Sequence, residues 1–400
     1  MEKSVAVLEI SSSCVKIVIG YELEGKPQII YTLVKPTHQI VDNGRFVDVP
    51  TLQTILRGLT KISDVSAKLN IKISEVVLLL PPFGLEIFTT NQITTVVGEE
   101  SKVSNVDIRN VYNLIRKGQI PPNHALVDII PDKFELDDGR TYLNPPLGEP
   151  SNALIINAKL HTLPKVIVQN YEGITEDSGL AIKRSFISSF AANELISSNK
   201  ENPQDYILVD IGSHITTVNA IGGKQLISSR YFNWGGHKIT SKIATAFNIS
   251  ENEAEKIKIT YGLDCKHTDF PVTICITDDG NGHETKHLAS ELAEIVKSEL
   301  ISFVNQLNMV INNLFQGFDL NSIRQLPIIL TGGGSNLNGL VPFIETKLQS
   351  GGIKTFSPNT IGARNSIFTN CLGAIVANKK HPVVFDESHP KVGTLTRDDE

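Results

Sequence analysis

The sequence predicts a two-domain α/β protein whose halves share one plan, and three observations carry that prediction. Residues 7–20 (VLEISSSCVKIVIG) and 208–223 (LVDIGSHITTVNAIGG) each read as strand, small-residue turn, strand. Each has a carboxylate near the end of its first strand, and the two lie about half a chain apart. The third is residues 330–340, LTGGGSNLNGL, where the apolar strand 326–330 runs into Gly332, Gly333 and Gly334. Glycines there let the main chain lie against a flat or anionic ligand while a helix starts near Asn338. A tight strand-to-helix turn would use the same residues.

In chain order, the first hairpin leads to a helix over 51–69 and a buried strand at 76–82 (VVLLLPP), a β-then-α texture expected of a sheet covered on both faces. From 86 to 159 the texture changes. A strand at 89–97 precedes a helix at 105–117, opened by Ser104 with Asp107 as a cap-like pair, and a proline-rich strand region follows, so this stretch reads as an inserted α+β subdomain. A strand at 153–161 returns to the main body, followed by a helix from Pro164 to about Gly179 and another at 188–197. Polar 198–205 is the expected linker. In the second half Gly235 and Gly236 start a helix, and Ser250 with Glu253 caps the next, which ends at Gly262. A long amphipathic helix is expected over 284–315, with Leu288, Leu292, Ile295, Leu300, Phe303, Leu307 and Ile311 on its inner stripe.

Composition narrows the function classes. Four hundred residues with 40% hydrophobic content suit two substantial cores. A net charge of −6, from 37 basic and 43 acidic residues without a basic block, argues against a nucleic-acid partner. Cys14, Cys265, Cys275 and Cys371 are scattered, without the C-x-x-C spacing of a zinc site, and fit a reducing cytoplasm. No apolar run reaches the roughly 20 residues of a membrane helix.

With these segments placed, the chain resembles the bacterial cell-division protein FtsA family of the actin-like ATPases. Beyond the three motifs above, the resemblance rests on residues 234–262 (WGGHKITSKIATAFNISENEAEKIKITYG), on the position of the inserted subdomain, and on its Asn144-Pro145 and Gly148 element. It covers residues 1–378. It implies an actin-like, ribonuclease H-like two-domain ATPase fold with an FtsA-type insertion. The implied domains are 1–85 with 160–203, the insertion 86–159, then 204–236 with 326–380, a small subdomain 237–325, and a disordered acidic tail 381–400.

The resemblance further implies ATP or ADP with magnesium. Where the family's first phosphate loop reads Asp-x-Gly-Ser-Ser-x-x-x-Lys, this chain has Glu9, Ser11, Ser12, Ser13 and Lys16, with Ser11 in place of the glycine. Where the second reads Asp-x-Gly-Gly-Gly-Thr-x-Asp, it has Asp210, Gly212, Ser213, His214, Thr216 and Thr217, so two glycines and the second acid are gone. Ser213 and His214 would then carry a Cβ through a positive-φ turn. No acid or nucleophile pairs with His214 in the sequence, which favours a turn histidine over a catalytic one. Gly235, Gly236, Lys256, Gly332, Gly333, Gly334 and Ser335 complete the implied nucleotide set, and Glu9 and Asp210 would hold magnesium through water. A plain hairpin with a solvated lysine is the alternative for the first loop.

A kept glycine loop beside eroded phosphate loops points to a protein that holds nucleotide and turns it over slowly or not at all. The implied role is a division-site adaptor on the cytoplasmic side that binds the C-terminal tail of FtsZ through 237–325 and self-associates into protofilaments through the insertion. The tail 381–400 has five acids against two bases and no apolar stripe, unlike the family's basic amphipathic membrane helix, so membrane contact is expected to be indirect or absent. The alternatives are an actin-like assembly ATPase of a pilus or secretion system and, on the same scaffold, a sugar-kinase-type enzyme, for which no catalytic base is visible.

Overall fold

Near-continuous apolar runs open the chain as three strands, β1 (Val5–Ile10), β2 (Cys14–Leu23) and β3 (Lys26–Pro36), paired antiparallel. The structure, a computed structural model, describes residues 4–64, 69–118, 120–263, 272–278 and 284–381. Cys265 and the acidic tail from 382 lie outside the described residues. After the short hairpin β4 (Val41–Asp42) and β5 (Arg45–Phe46), Asp48 caps α1 (Val49–Leu59), accepting from Thr51 N at 3.1 Å. The helix expected over 51–69 stops at Leu59. Ile62 and Ile71 instead face each other across a hairpin of β6 (Lys61–Asp64) and β7 (Leu69–Lys72), a pairing that suits β-branched side chains better than another helical turn. β8 (Glu75–Leu80) is buried after its first residue and runs parallel to β1.

The insertion follows. β9 (Glu86–Thr95), α2 (Asn105–Arg116), β10 (His124–Leu136), β11 (Thr141–Tyr142) and β12 (Ala153–Pro164) form a sheet of order β11-β10-β12-β9. Its core joins Ile108, Val111 and Ile115 of α2 to Phe134, Leu154 and Ile156. The expected Ser104–Asp107 pair is present: the buried Asp107 carboxylate accepts from Ser104 N (2.8 Å), Ser104 Oγ (2.7 Å) and Val97 N (2.7 Å). Burial opposes its charge, but the bonds from Ser104 and Val97 prevail and hold Asp107 below the usual carboxylate range. Asp107→Asn should therefore cost about 1–3 kcal/mol at pH 7. Because the folded pKa is the lower one, this stabilisation is present above the unfolded value of about 3.9 and fades as pH falls through the folded value. Urea unfolding of both proteins at stepped pH checks it, with the two curves converging in acid.

α3 (Lys165–Asp177), β13 (Ala181–Ile187) and α4 (Ser188–Ser198) return to the main body, with β13 parallel to β8. The first sheet thus has the order β3-β2-β1-β8-β13. In the second half β14 (Tyr206–Ile211), β15 (Thr216–Gly222) and β16 (Gln225–Phe232) pair antiparallel, then come α5 (Gly236–Phe247) and α6 (Glu251–Tyr261). β17 (Thr273–Asp278) and β18 (Glu284–Leu288) pair as a hairpin, so the long helix α7 (Ala289–Leu314) begins five residues later than expected. Leu292, Leu300, Phe303, Leu307 and Ile311 of its expected stripe are buried. α8 (Leu320–Arg324), β19 (Ile328–Thr331), α9 (Leu340–Glu345) and β20 (Ile353–Thr355) complete a sheet of order β16-β15-β14-β19-β20, with β14, β19 and β20 parallel. α10 (Thr369–Lys380) ends the described chain.

The two sheets are the same sheet built twice: an antiparallel three-strand meander, then two parallel strands added beside its first strand. By its contacts the chain divides into residues up to Ala191 with those from Cys371, and Ala192–Asn370. α10 beyond Asn370 bonds into the first unit: Cys371 donates to Glu9 and the Arg184 guanidinium to the His381 carbonyl. The expected linker is also tied down, with buried Asn202 donating to Ile196 O at 2.7 Å.

Candidate functional site

In the first unit the antiparallel register of β1 and β2 sets Glu9 directly opposite Lys16, and their charges meet at 2.6 Å with both side chains buried. The Cys371 thiol donates to the same carboxylate at 3.3 Å. Burial works against the Lys16 charge, yet the Glu9 carboxylate more than offsets it and holds the ammonium above its ordinary range. Burial, reinforced by Glu9, pushes the Cys371 thiol well up. Ser11 closes the turn, its N and Oγ both donating to Cys14 O at 3.0 and 2.8 Å, a second bond that a glycine could not make. Ser12 and Ser13 are half-buried at the turn, and Ser13 O accepts from Thr37 N at 2.8 Å.

In the second unit three backbone segments meet at the end of β14. Asp210 is half-buried, with its Oδ2 accepting from Asn370 Nδ2 at 3.2 Å. Gly332 approaches it so closely that an added Cβ would lie 2.1 Å from Asp210 Oδ1 and 2.6 Å from Ile211 O. Ser335 closes this loop by donating from Oγ to Gly332 O at 2.7 Å. Gly212 and Ser213 fold onto the start of α5, their carbonyls accepting from Gly236 N (3.0 Å) and His237 N (2.8 Å). Gly235 is required there, since a Cβ would stand 2.3 Å from Ser213 O. Thr216 ties β15 to the same corner, its buried hydroxyl donating to Trp234 O at 2.7 Å. The strain expected at Ser213 and His214 is absent: neither has positive φ. His214 stacks on His237 with ring centroids 4.5 Å apart.

A family profile described as Cell division protein FtsA matches residues 207–373, which span this corner. The Cell division protein FtsA of Enterococcus hirae is 28% identical over 376 residues, 92% of this chain and 81% of that one. The chain is FtsA-like. Solved structures agree on the fold: the PilM-PilN type IV pilus biogenesis complex has a TM-score of 0.60 at 17% identity, covering 94% of this chain and 98% of its own. MreB 5 of Spiroplasma citri bound to AMPPNP has a TM-score of 0.52 at 12% identity, covering 94% and 96%.

The FtsA-like motif of α6 contains two lysines, and the structure separates them. Lys256 is exposed, whereas Lys258 is buried and donates to Gly236 O (3.0 Å), Thr240 Oγ1 (2.9 Å) and Glu255 Oε2 (2.7 Å). Burial holds Lys258 below the usual lysine range against the pull of Glu255. Its spacing of four from buried Ala254 was the available signal, because positions four apart share a helix face and Lys256 does not lie on it. Lys258 therefore fixes the first turn of α5 beside Gly235 and Gly236.

In the second unit Gly212, Gly235, Gly332 and Gly334 are packed against the protein's own atoms where a Cβ would stand, whereas at Gly333 a Cβ would meet only the Ile367 side chain, at 3.2 Å. The expected magnesium role of Glu9 does not fit, because Lys16 already neutralises that carboxylate and its ammonium would repel a dication. Among the described residues no three His, Cys, Asp or Glu side chains gather as a metal-binding group.

Proposed function

We propose that this FtsA-like protein is a cell-division adaptor that holds ATP or ADP, binds the C-terminal tail of FtsZ at the cytoplasmic side of the division site, and associates with itself. The observation that carries the reading is the contrast between the two loops. The second loop keeps Gly332, Gly333 and Gly334, with only the Ile367 side chain beside Gly333, whereas in the first loop Glu9 and Lys16 hold each other and Ser11 closes the turn on Cys14 O. Affinity without turnover follows, since hydrolysis needs groups aligned on the terminal phosphate and the attacking water. No step is assigned to magnesium.

Gly333→Asp should remove nucleotide binding, because a carboxylate would enter the corner at Gly333 and repel an anionic ligand. A titration with a fluorescent ATP analogue should show at least a tenfold weaker dissociation constant, equivalent to about 1.4 kcal/mol. Wild-type turnover of many ATP per minute would refute the slow-hydrolysis part.

Region 237–325 suits a peptide partner, as α7 and the segment after it expose Ile301, Met309 and Phe318. Fluorescence anisotropy of a labelled FtsZ C-terminal peptide should saturate at roughly micromolar protein, and Met309→Asp should weaken it about tenfold or more. No binding at high concentration, with and without ATP, would remove the adaptor reading. No helix among the described residues is long and apolar enough to cross a membrane.

A further inference from the structure

A sheet edge is a row of unpaired backbone donors and acceptors, and natural proteins guard it with charge, proline, bulges or brevity. Among the described residues the outer strands obey that rule with one exception. β3 carries Lys26, Pro27, Lys35 and Pro36, and its register breaks at Ile19/Gly20. β13 carries Lys183 and Arg184 with a break at Ile182/Arg184, and β16 carries Arg230 with a break at Ala220/Ile221. β20 has three residues and β11 two. The short hairpins are brief or charged.

β9 has none of these guards. It is ten residues long and pairs with β12 in unbroken register from Glu86↔Thr162 to Thr95↔Ala153. After Glu86 its sequence is IFTTNQITT, without charge or proline and rich in β-formers. No described strand pairs with its outer side, and Thr89, Asn91, Ile93 and Thr95 are exposed, Ile93 at 57%.

We propose that β9 is a self-association edge at which two copies of this chain pair antiparallel, fusing their inserted sheets into one of eight strands. A second copy is the favoured occupant because the strand complements itself. Turned about Gln92, Thr89 faces Thr95, Thr90 faces Thr94 and Asn91 faces Ile93, so no charge opposes a charge and Thr–Thr pairs recur on both sides. This deepens the self-association part of the proposed function by giving it a surface.

The full-length protein is tested by sedimentation velocity over about 1–200 µM, a range chosen for an interface weaker than a standard one. Wild type should show a concentration-dependent dimer. Gln92→Lys, which sets lysine against lysine on the axis, and Ile93→Lys, which adds only an exposed charge, should each weaken it at least about tenfold. Gln92→Cys should form a disulfide dimer under mild oxidation that wild type does not. If wild type associates and both lysine variants associate equally well, the edge is wrong while self-association stands. If wild type is monomeric throughout, both fail, even if β9 is found to pair with an unrelated extended peptide. Unchanged FtsZ-tail and nucleotide binding by Ile93→Lys shows that the variant is folded.

Discussion

Arg184→Met should destabilise the first unit by about 3–5 kcal/mol, because it leaves a buried carboxylate without its counter-charge. The Arg184 guanidinium on β13 donates from one nitrogen to both oxygens of Asp128 on β10, each at 2.8 Å. The two side chains are only 11% and 10% exposed. The same guanidinium lies 4.4 Å from the Phe186 ring centre and donates to the His381 carbonyl. One residue therefore joins the inserted sheet, the main sheet and the end of α10. Methionine keeps the volume and removes the charge, so the loss measures the stranded Asp128 rather than a cavity. Asp128→Leu with Arg184→Met should recover most of the loss, since a buried pair replaced by apolar side chains of similar size is often neutral. Equilibrium urea unfolding of the single variants and the double variant gives the coupling directly. Near-additive losses would show that the pair is not the joint.

Neither Arg184 nor Asp128 could have been found from the sequence, and the reason separates what was legible from what was not. Signals that act over a few residues were readable: the alternation of β1–β2 and β14–β15, the Ser104–Asp107 and Ser250–Glu253 boxes, and the Gly262 stop of α6. Those elements, repeated half a chain apart, gave the doubled sheet. Where two local preferences compete, reading failed: residues 61–72 and 284–288 fit a helical period yet pair as hairpins once a partner strand is beside them. The pairings around the candidate site were not legible. Ser11 looked like a lost glycine but closes the turn on Cys14 O, and Glu9 and Lys16 looked like two ligand contacts but hold each other. Lys258, four residues on from buried Ala254, is the lysine of this motif that bonds to Gly236 O.

The glycine loop that first drew attention divides into two roles, and Gly332→Ala against Gly333→Ala should separate them. Gly332 sits at φ 81°, ψ 168°, a region essentially confined to glycine. A methyl group there would stand 2.1 Å from Asp210 Oδ1 and 2.6 Å from Ile211 O. Backbone strain of about 1–3 kcal/mol and overpacking of a similar size add, so Gly332→Ala should lose about 2–6 kcal/mol and take nucleotide binding with it. Gly333 has no positive φ, and its added methyl would meet only Ile367 Cγ2 at 3.2 Å, a side chain that can move by a few tenths of an ångström. Gly333→Ala should therefore change stability by less than about 1 kcal/mol while still projecting a methyl into the corner assigned to the nucleotide. Thermal melting and nucleotide titration of the two variants separate the roles. Loss of both properties at Gly332 with loss of binding alone at Gly333 places the ligand against this loop. An intact, binding-competent Gly333→Ala would mean that the glycines serve only to let β19 turn past Asp210, and the nucleotide would have to be sought elsewhere.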